Sequence, residues 1–201
     1  MFCFSKYFVA STAVLVSILV AIPALAEEPD GARFRGGVSL EGGALTVPNV
    51  VNVGVAGVQG QLGAQINNFV GVYAVPSFDI VFGKVGGVNL SSAVLVDFTL
   101  GSVSIGVGPD VGVFAGIGGS STSMSAAGGA LYGGRLHLAW YPVLDKSENR
   151  ARRKALAIGV DLRVLTGGTA FETVTRSSVS ASADGSSFVL APMATIGYQA
   201  F

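Results

Sequence analysis

The chain has 201 residues, half of them hydrophobic and only 12% charged, with 29 glycines, one cysteine and a formal net charge of zero. About a quarter of the residues of an ordinary globular domain are charged, and disordered chains combine low hydrophobicity with high net charge, so neither description fits. The length suits one domain.

The N-terminal segment stands apart from the fold. Lys6 supplies a lone positive charge, Phe8 to Ile22 form an apolar stretch, and Ala24-Leu25-Ala26 ends in the small-x-small pattern that export peptidases cut. Residues 1–26 are therefore expected to be a signal peptide cleaved before Glu27, leaving residues 27–201 as one domain. An uncleaved anchor is the competing reading, because Phe8 to Ala26 is long enough to span a bilayer; Pro23 and the cleavage pattern favour removal. Removal takes Lys6 and Cys3 with it, so the remaining 175 residues hold 11 basic and 12 acidic side chains and no thiol for a disulfide or a thiolate zinc site. That balance offers no clustered basic face for nucleic acid.

Beyond residue 30 no stretch approaches 18 uninterrupted apolar residues, so no transmembrane helix is read. Alternation with period two recurs instead, the mark of strands with unlike faces. Arg33 to Ala44 sets Phe34, Val38 and Leu40 against Arg33, Arg35, Ser39 and Glu41, and Val53 to Asn67 sets Ala56, Val58, Leu62 and Ile66 against Gln59, Gln61 and Gln65. Phe69 to Val81 opposes Val70, Val72, Phe78 and Ile80 to Tyr73, Ser77 and Asp79; Val88 to Leu100 opposes Leu90, Val94, Val96 and Phe98 to Asn89, Ser91 and Asp97. Val103 to Ala115 places Val103, Ile105, Val107, Val111 and Val113 opposite Ser104 and Asp110, and Ala130 to Pro142 places Tyr132, Leu136, Leu138 and Trp140 opposite Arg135, His137 and Tyr141. In Leu156 to Thr166, Ile158, Val160, Leu162 and Val164 face away from Asp161 and Arg163; in Phe188 to Phe201, Leu190, Ala194, Ile196 and Tyr198 face away from Thr195 and Gln199. Eight strands result.

Their connections are short at Asn67-Asn68 and Gly101-Ser102 and longer at 45–52, 116–129 and 167–187, as in an up-and-down meander with tight turns on one rim and loops on the other. The Ser-, Thr-, Gly- and Ala-rich stretches Gly116 to Gly129 and Gly167 to Ser187 read as mobile loops. The connection 143–155 is longer than its rim requires and holds Arg150, Arg152, Arg153 and Lys154, read as a solvated turn or as a contact for anionic headgroups, cell-wall polymer or lipopolysaccharide phosphates.

Two all-β architectures suit eight antiparallel strands. A soluble calyx turns polar residues outward around an apolar interior, and a membrane barrel does the reverse. The ionisable strand residues Arg33, Arg35, Glu41, Asp79, Asp97, Asp110, Arg135, His137, Asp161 and Arg163 share the polar stripe, in the near balance of signs expected of an enclosed ionic network. On the apolar stripe, Phe34, Phe98, Trp140 and Tyr198 fall near the tight-turn ends of their strands and Phe78, Tyr132 and Phe188 near the other ends. Two aromatic belts around an aliphatic band are what rings at both headgroup levels produce. Glycines at 37, 57, 63, 71, 106, 108, 112 and 159 make room for Arg135, Tyr73 and Tyr141 inside a cylinder just wide enough for side chains to fill, too narrow for a general diffusion pore.

On these residues the chain resembles the small eight-stranded bacterial outer-membrane barrels of the OmpA membrane-domain and OmpX kind. The likeness is one of pattern, most specific at Thr195-Ile196-Gly197-Tyr198-Gln199-Ala200-Phe201, where Tyr198 and Phe201 resemble the terminal signal read by the barrel-assembly machinery. Gln199 stands where that signal has an apolar residue, and a bulge near the end would restore the phase. Pro76, Pro109 and Pro192 depart from the pattern too, and bulged or frayed ladder is expected around each. The resemblance implies an outer-membrane location in a Gram-negative bacterium, contact with outer-membrane lipid and lipopolysaccharide, and a monomer.

Chemical motifs are sparse. The phosphate-cradle, hydrolase-elbow and zinc-protease spacings are missing, and one His with no Cys in residues 27–201 gives no His-rich metal site. Neither a cofactor nor a metal is expected. Three functions follow: a non-enzymatic envelope protein with a structural or loop-binding role, a lipid-modifying enzyme using His137, and a soluble periplasmic calyx for a small apolar ligand. The first leads, because catalytic groups of the deacylase barrels face the lipid and His137 falls on the lumen stripe.

Overall fold

The computed structural model describes residues 32–47, 51–67, 69–83, 85–120, 123–144, 154–175 and 178–200. The expected signal peptide, the basic run Arg150 to Arg153 and the terminal Phe201 lie outside them. The described chain is all β: β1 Arg33–Val47, β2 Val51–Gln65, β3 Val70–Phe82, β4 Val85–Leu100, β5 Val103–Ser120, β6 Ser123–Leu144, β7 Lys154–Thr175 and β8 Ser178–Ala200. Each pairs antiparallel with the next, and β1 pairs with β8, closing a barrel in sequence order. Closure leaves no sheet edge along the shared height, so the backbone there satisfies itself.

Partner-to-partner steps from Ser187 through Gly167, Leu131, Gly112, Ser91, Ser77, Gln59 and Ser39 return to β8 at Gly197, ten residues from the start. That stagger is what tilts the strands by about 35–45° and fixes the narrow bore of an eight-stranded cylinder. At the β4–β5 turn Gly101 takes φ 64°, the left-handed geometry that matches a two-residue hairpin to strand twist.

Three expectations are corrected. The described residues of the segments 116–129 and 167–187 are ladder rather than loop: β5 and β6 pair as far as Ser120 with Ser123, and β7 and β8 as far as Thr175 with Ser178. Small residues lack the apolar–polar contrast that marks a strand, but their N–H and C=O groups pair as well as any others. Second, the bulges expected as one alternative at Pro76, Pro109 and Pro192 are absent, since none shifts the register, while the other alternative, an interrupted ladder, is found at each. Each keeps its partner on one side, Ser92, Gly134 and Leu162, and interrupts the ladder only on the other. In an antiparallel strand a residue's N and O point to the same neighbour, so a missing N–H is felt on one seam alone. Third, the β1–β8 ladder runs in constant register from Gly36–Ala200 to Gly43–Met193, without a terminal bulge; Gln199 simply faces inward and Tyr198 outward. The register shifts that do occur lie between Trp140 and Val143, where Pro142 has no N–H to give, and between Gly167 and Thr169.

Candidate functional site

The interior is built in three tiers. The lower tier, beside the tight turns, centres on Arg35. Its guanidinium donates to Asp97, to Tyr141 OH at 2.7 Å, to Gln199 Oε1 at 3.1 Å and to Gln65 Oε1 at 3.2 Å, and lies 4.8 Å from the Tyr73 ring centroid. Tyr141 OH also donates to Gln199 Oε1 at 2.9 Å and shares a hydrogen bond with Ser104. A Cβ on Gly63 would come within 2.4 Å of Tyr73 Cα, and one on Gly106 within 3.0 Å of its hydroxyl, so glycine there is what admits the ring. The glycines expected to make room do so for Tyr73, whereas Arg135 and Tyr141 are not the nearest neighbours of any of them.

The middle tier holds Arg135 and Arg163. Arg135 donates to Asp161 Oδ2 at 2.8 Å, Ser77 Oγ at 3.1 Å, Glu41 Oε2 at 3.4 Å and Gln59 Oε1. Arg163 donates to Asp79 Oδ2 at 2.8 Å, to Glu41 and to Ser77. Asn89 donates to Asp79 Oδ2 at 2.9 Å, and His137 Nδ1 lies 2.5 Å from Asp161 Oδ1. In water each ion pair would contribute little. Here desolvation makes pairing obligatory, since a buried charge without a partner costs several kcal/mol. Asp110 is fully buried in this tier, and neither of its oxygens accepts a hydrogen bond from the described residues.

The upper tier is apolar: Val53, Val55, Val81, Ala191 and Met193 form one cluster and Leu131, Leu165 and Val189 another, with Leu45 and Phe114 packed against both. This closure was not foreseen, the interior having been expected to be polar throughout. The signal was present, because Val53 and Val55 keep the parity of Gln59, Val81 that of Asp79, and Leu165 that of Arg163.

Of the ten ionisable stripe residues, nine are buried in the lumen and Arg33, at the start of β1, is half-buried. The seven belt aromatics all project outward, 42 to 57% exposed, and Phe69 and Phe82, not picked out from the sequence, join them. Phe82 lies over Gly54, which marks it as covering an outward gap in β2. Between the belts the outward side chains are mainly Val, Leu, Ile and Ala; the one exposed charge among the described strand side chains is Lys154, at the start of β7.

Chemically, His137 is oriented by Asp161 and backed by Arg135, but it is 2% exposed and its Nε2 meets no described hydrogen-bonding group. Among the described residues no cluster of His, Asp and Glu is arranged to hold a metal ion, and no helix is long and apolar enough to cross a membrane, which bears on helices only. No protein-family model matches the chain, and no curated protein matches it in sequence.

Proposed function

We propose that this chain is a non-enzymatic outer-membrane β-barrel of a Gram-negative envelope, seated as a monomer among outer-membrane lipid and lipopolysaccharide after delivery by the barrel-assembly machinery, with a structural or surface-binding role. The observation that carries the reading is the inversion of faces: large apolar side chains exposed around the whole described wall, from Leu40 and Val58 through Ile105 and Leu138 to Ile196, enclose buried Arg, Asp and Glu. Soluble monomers rarely expose contiguous apolar patches beyond a few hundred Å². A calyx for a small apolar ligand needs the opposite arrangement, and an enzyme acting on lipid through His137 needs that residue at the lipid face, whereas its side chain points inward.

The test is expression in a Gram-negative host, fractionation, and gel migration before and after boiling. The expected result is recovery in the detergent-extracted outer membrane, with a compact band that slows on boiling. Release into osmotic-shock fluid without detergent would refute it.

A further inference from the structure

Of the four outward prolines among the described residues, Pro142 sits at the register shift near the end of the β6–β7 ladder, and the other three divide the wall in mid-ladder. Between β2 and β3 the ladder stops after Gln59–Ser77 and resumes at Leu62–Ala74; between β4 and β5 it stops after Ala93–Asp110 and resumes at Val96–Val107; between β8 and β1 it stops after Gly43–Met193 and resumes at Thr46–Leu190. The skipped steps contain Pro76, Pro109 and Pro192 in turn. Within the intervening blocks the ladders run unbroken from Arg33–Gln65 to Val47–Val51 in β1–β2, from Val70–Phe98 to Val81–Gly87 in β3–β4, and from Val103–Trp140 to Ser120–Ser123 in β5–β6, while β6–β7 and β7–β8 carry only the register shifts between Trp140 and Val143 and between Gly167 and Thr169. The barrel thus consists of three staves, β1–β2, β3–β4 and β5–β8.

Inside, each of the three buried arginines touches all three. Arg35, on the first stave, reaches Asp97 and Tyr73 on the second and Tyr141 and Gln199 on the third. Arg135, on the third, reaches Glu41 and Gln59 on the first and Ser77 on the second. Arg163, also on the third, reaches Glu41 on the first and Asp79 and Ser77 on the second. Sequence-neighbouring strands would need no such reach to satisfy a guanidinium.

We propose that the wall parts laterally along the three proline seams and that Arg35, Arg135 and Arg163 are the pins that hold those seams closed. A seam lacking its central ladder bonds opens at lower cost than a continuous one, and low-cost openings appear in amide exchange. The pins supply the missing cohesion from within. At two seams a polar side chain without a described hydrogen bond stands beside the breach, Gln61 at β2–β3 and Asp110 at β4–β5, so opening there breaks none of their bonds.

The experiment is hydrogen–deuterium exchange on the full chain folded in detergent micelles. The amides that face the breaks opposite the prolines, at Gly60, Val94 and Ala44, are expected to exchange at least about tenfold faster than mid-ladder amides of β1–β2 and β5–β6. Pro76→Val restores an N–H and should slow exchange at the β2–β3 break about tenfold while the other two keep their rates; Arg163→Met should speed exchange at all three breaks and leave the β1–β2 ladder unchanged. Seam amides as protected as the continuous ladders in the wild type, or a β2–β3 break indifferent to Pro76→Val, would overturn the proposal even if Arg163→Met does not fold. A uniform rise across every ladder in Arg163→Met would show a general stabiliser rather than a pin.

Discussion

Arg135→Met tests whether the interior is held by obligatory pairing. Methionine keeps most of the stem's length and removes the guanidinium, which bonds Asp161 at 2.8 Å, Ser77 at 3.1 Å, Glu41 at 3.4 Å and Gln59. Glu41 keeps Arg163 and Asp161 keeps His137, so neither carboxylate is wholly abandoned. Removing one member of a buried pair costs about 3–5 kcal/mol when the other is left alone; with these remaining partners the lower end, about 3 kcal/mol, is expected. Adding Asp161→Asn to Arg135→Met discards the charge left behind and should recover about 1–2 kcal/mol. Arg135→Lys should fall between wild type and Met, because one ammonium cannot reach partners on four strands at once. Reversible urea unfolding in phospholipid vesicles measures all of these, with the single tryptophan, Trp140 on the outer face, as its reporter. A loss within about 0.5 kcal/mol for Arg135→Met, the range of an ordinary surface substitution, would refute the reasoning.

Four further outcomes are expected. Leu162→Arg places a charge on the outer face between Leu136 and Pro192 and should cost about 2–4 kcal/mol in the same assay; Gln61→Arg, into an interior where five carboxylates face three arginines, should cost less, and equal losses would undo the assignment of faces. Gly108→Ala drives a Cβ to 1.9 Å from the Val94 carbonyl oxygen and should abolish the compact gel band, whereas Gly101→Ala, with open space but φ 64°, should lower stability by only about 1–2 kcal/mol. In planar bilayers the purified barrel should show no steady ion conductance, because the upper tier offers ions no polar lining; regular open-channel steps would contradict that tier. His137→Ala should leave the host's lipid A profile unchanged by mass spectrometry; an altered profile relative to the wild-type chain would favour lipid-modifying chemistry.

Strand number, meander order and the division of each strand into faces were legible in the sequence, because side-chain direction alternates with period two whatever the neighbours are, and one misplaced charge would flip to the wrong solvent. From Arg33 to Arg163 parity alone placed the ionisable groups on one stripe. Parity does not say how far a strand extends once its residues become small and uniform, so the paired stretches beyond Gly116 and Gly167 escaped it. Nor does it reveal partners. That Arg35 meets Asp97 and Tyr141, or that Arg135 and Arg163 converge on Glu41, depends on the stagger of ten that sets which lumen positions share a height. Register is a property of pairs of strands, and only closure of the whole ring fixes it. The same holds for the prolines: their positions are visible in the chain, but the seam each one interrupts depends on which neighbour its nitrogen faces.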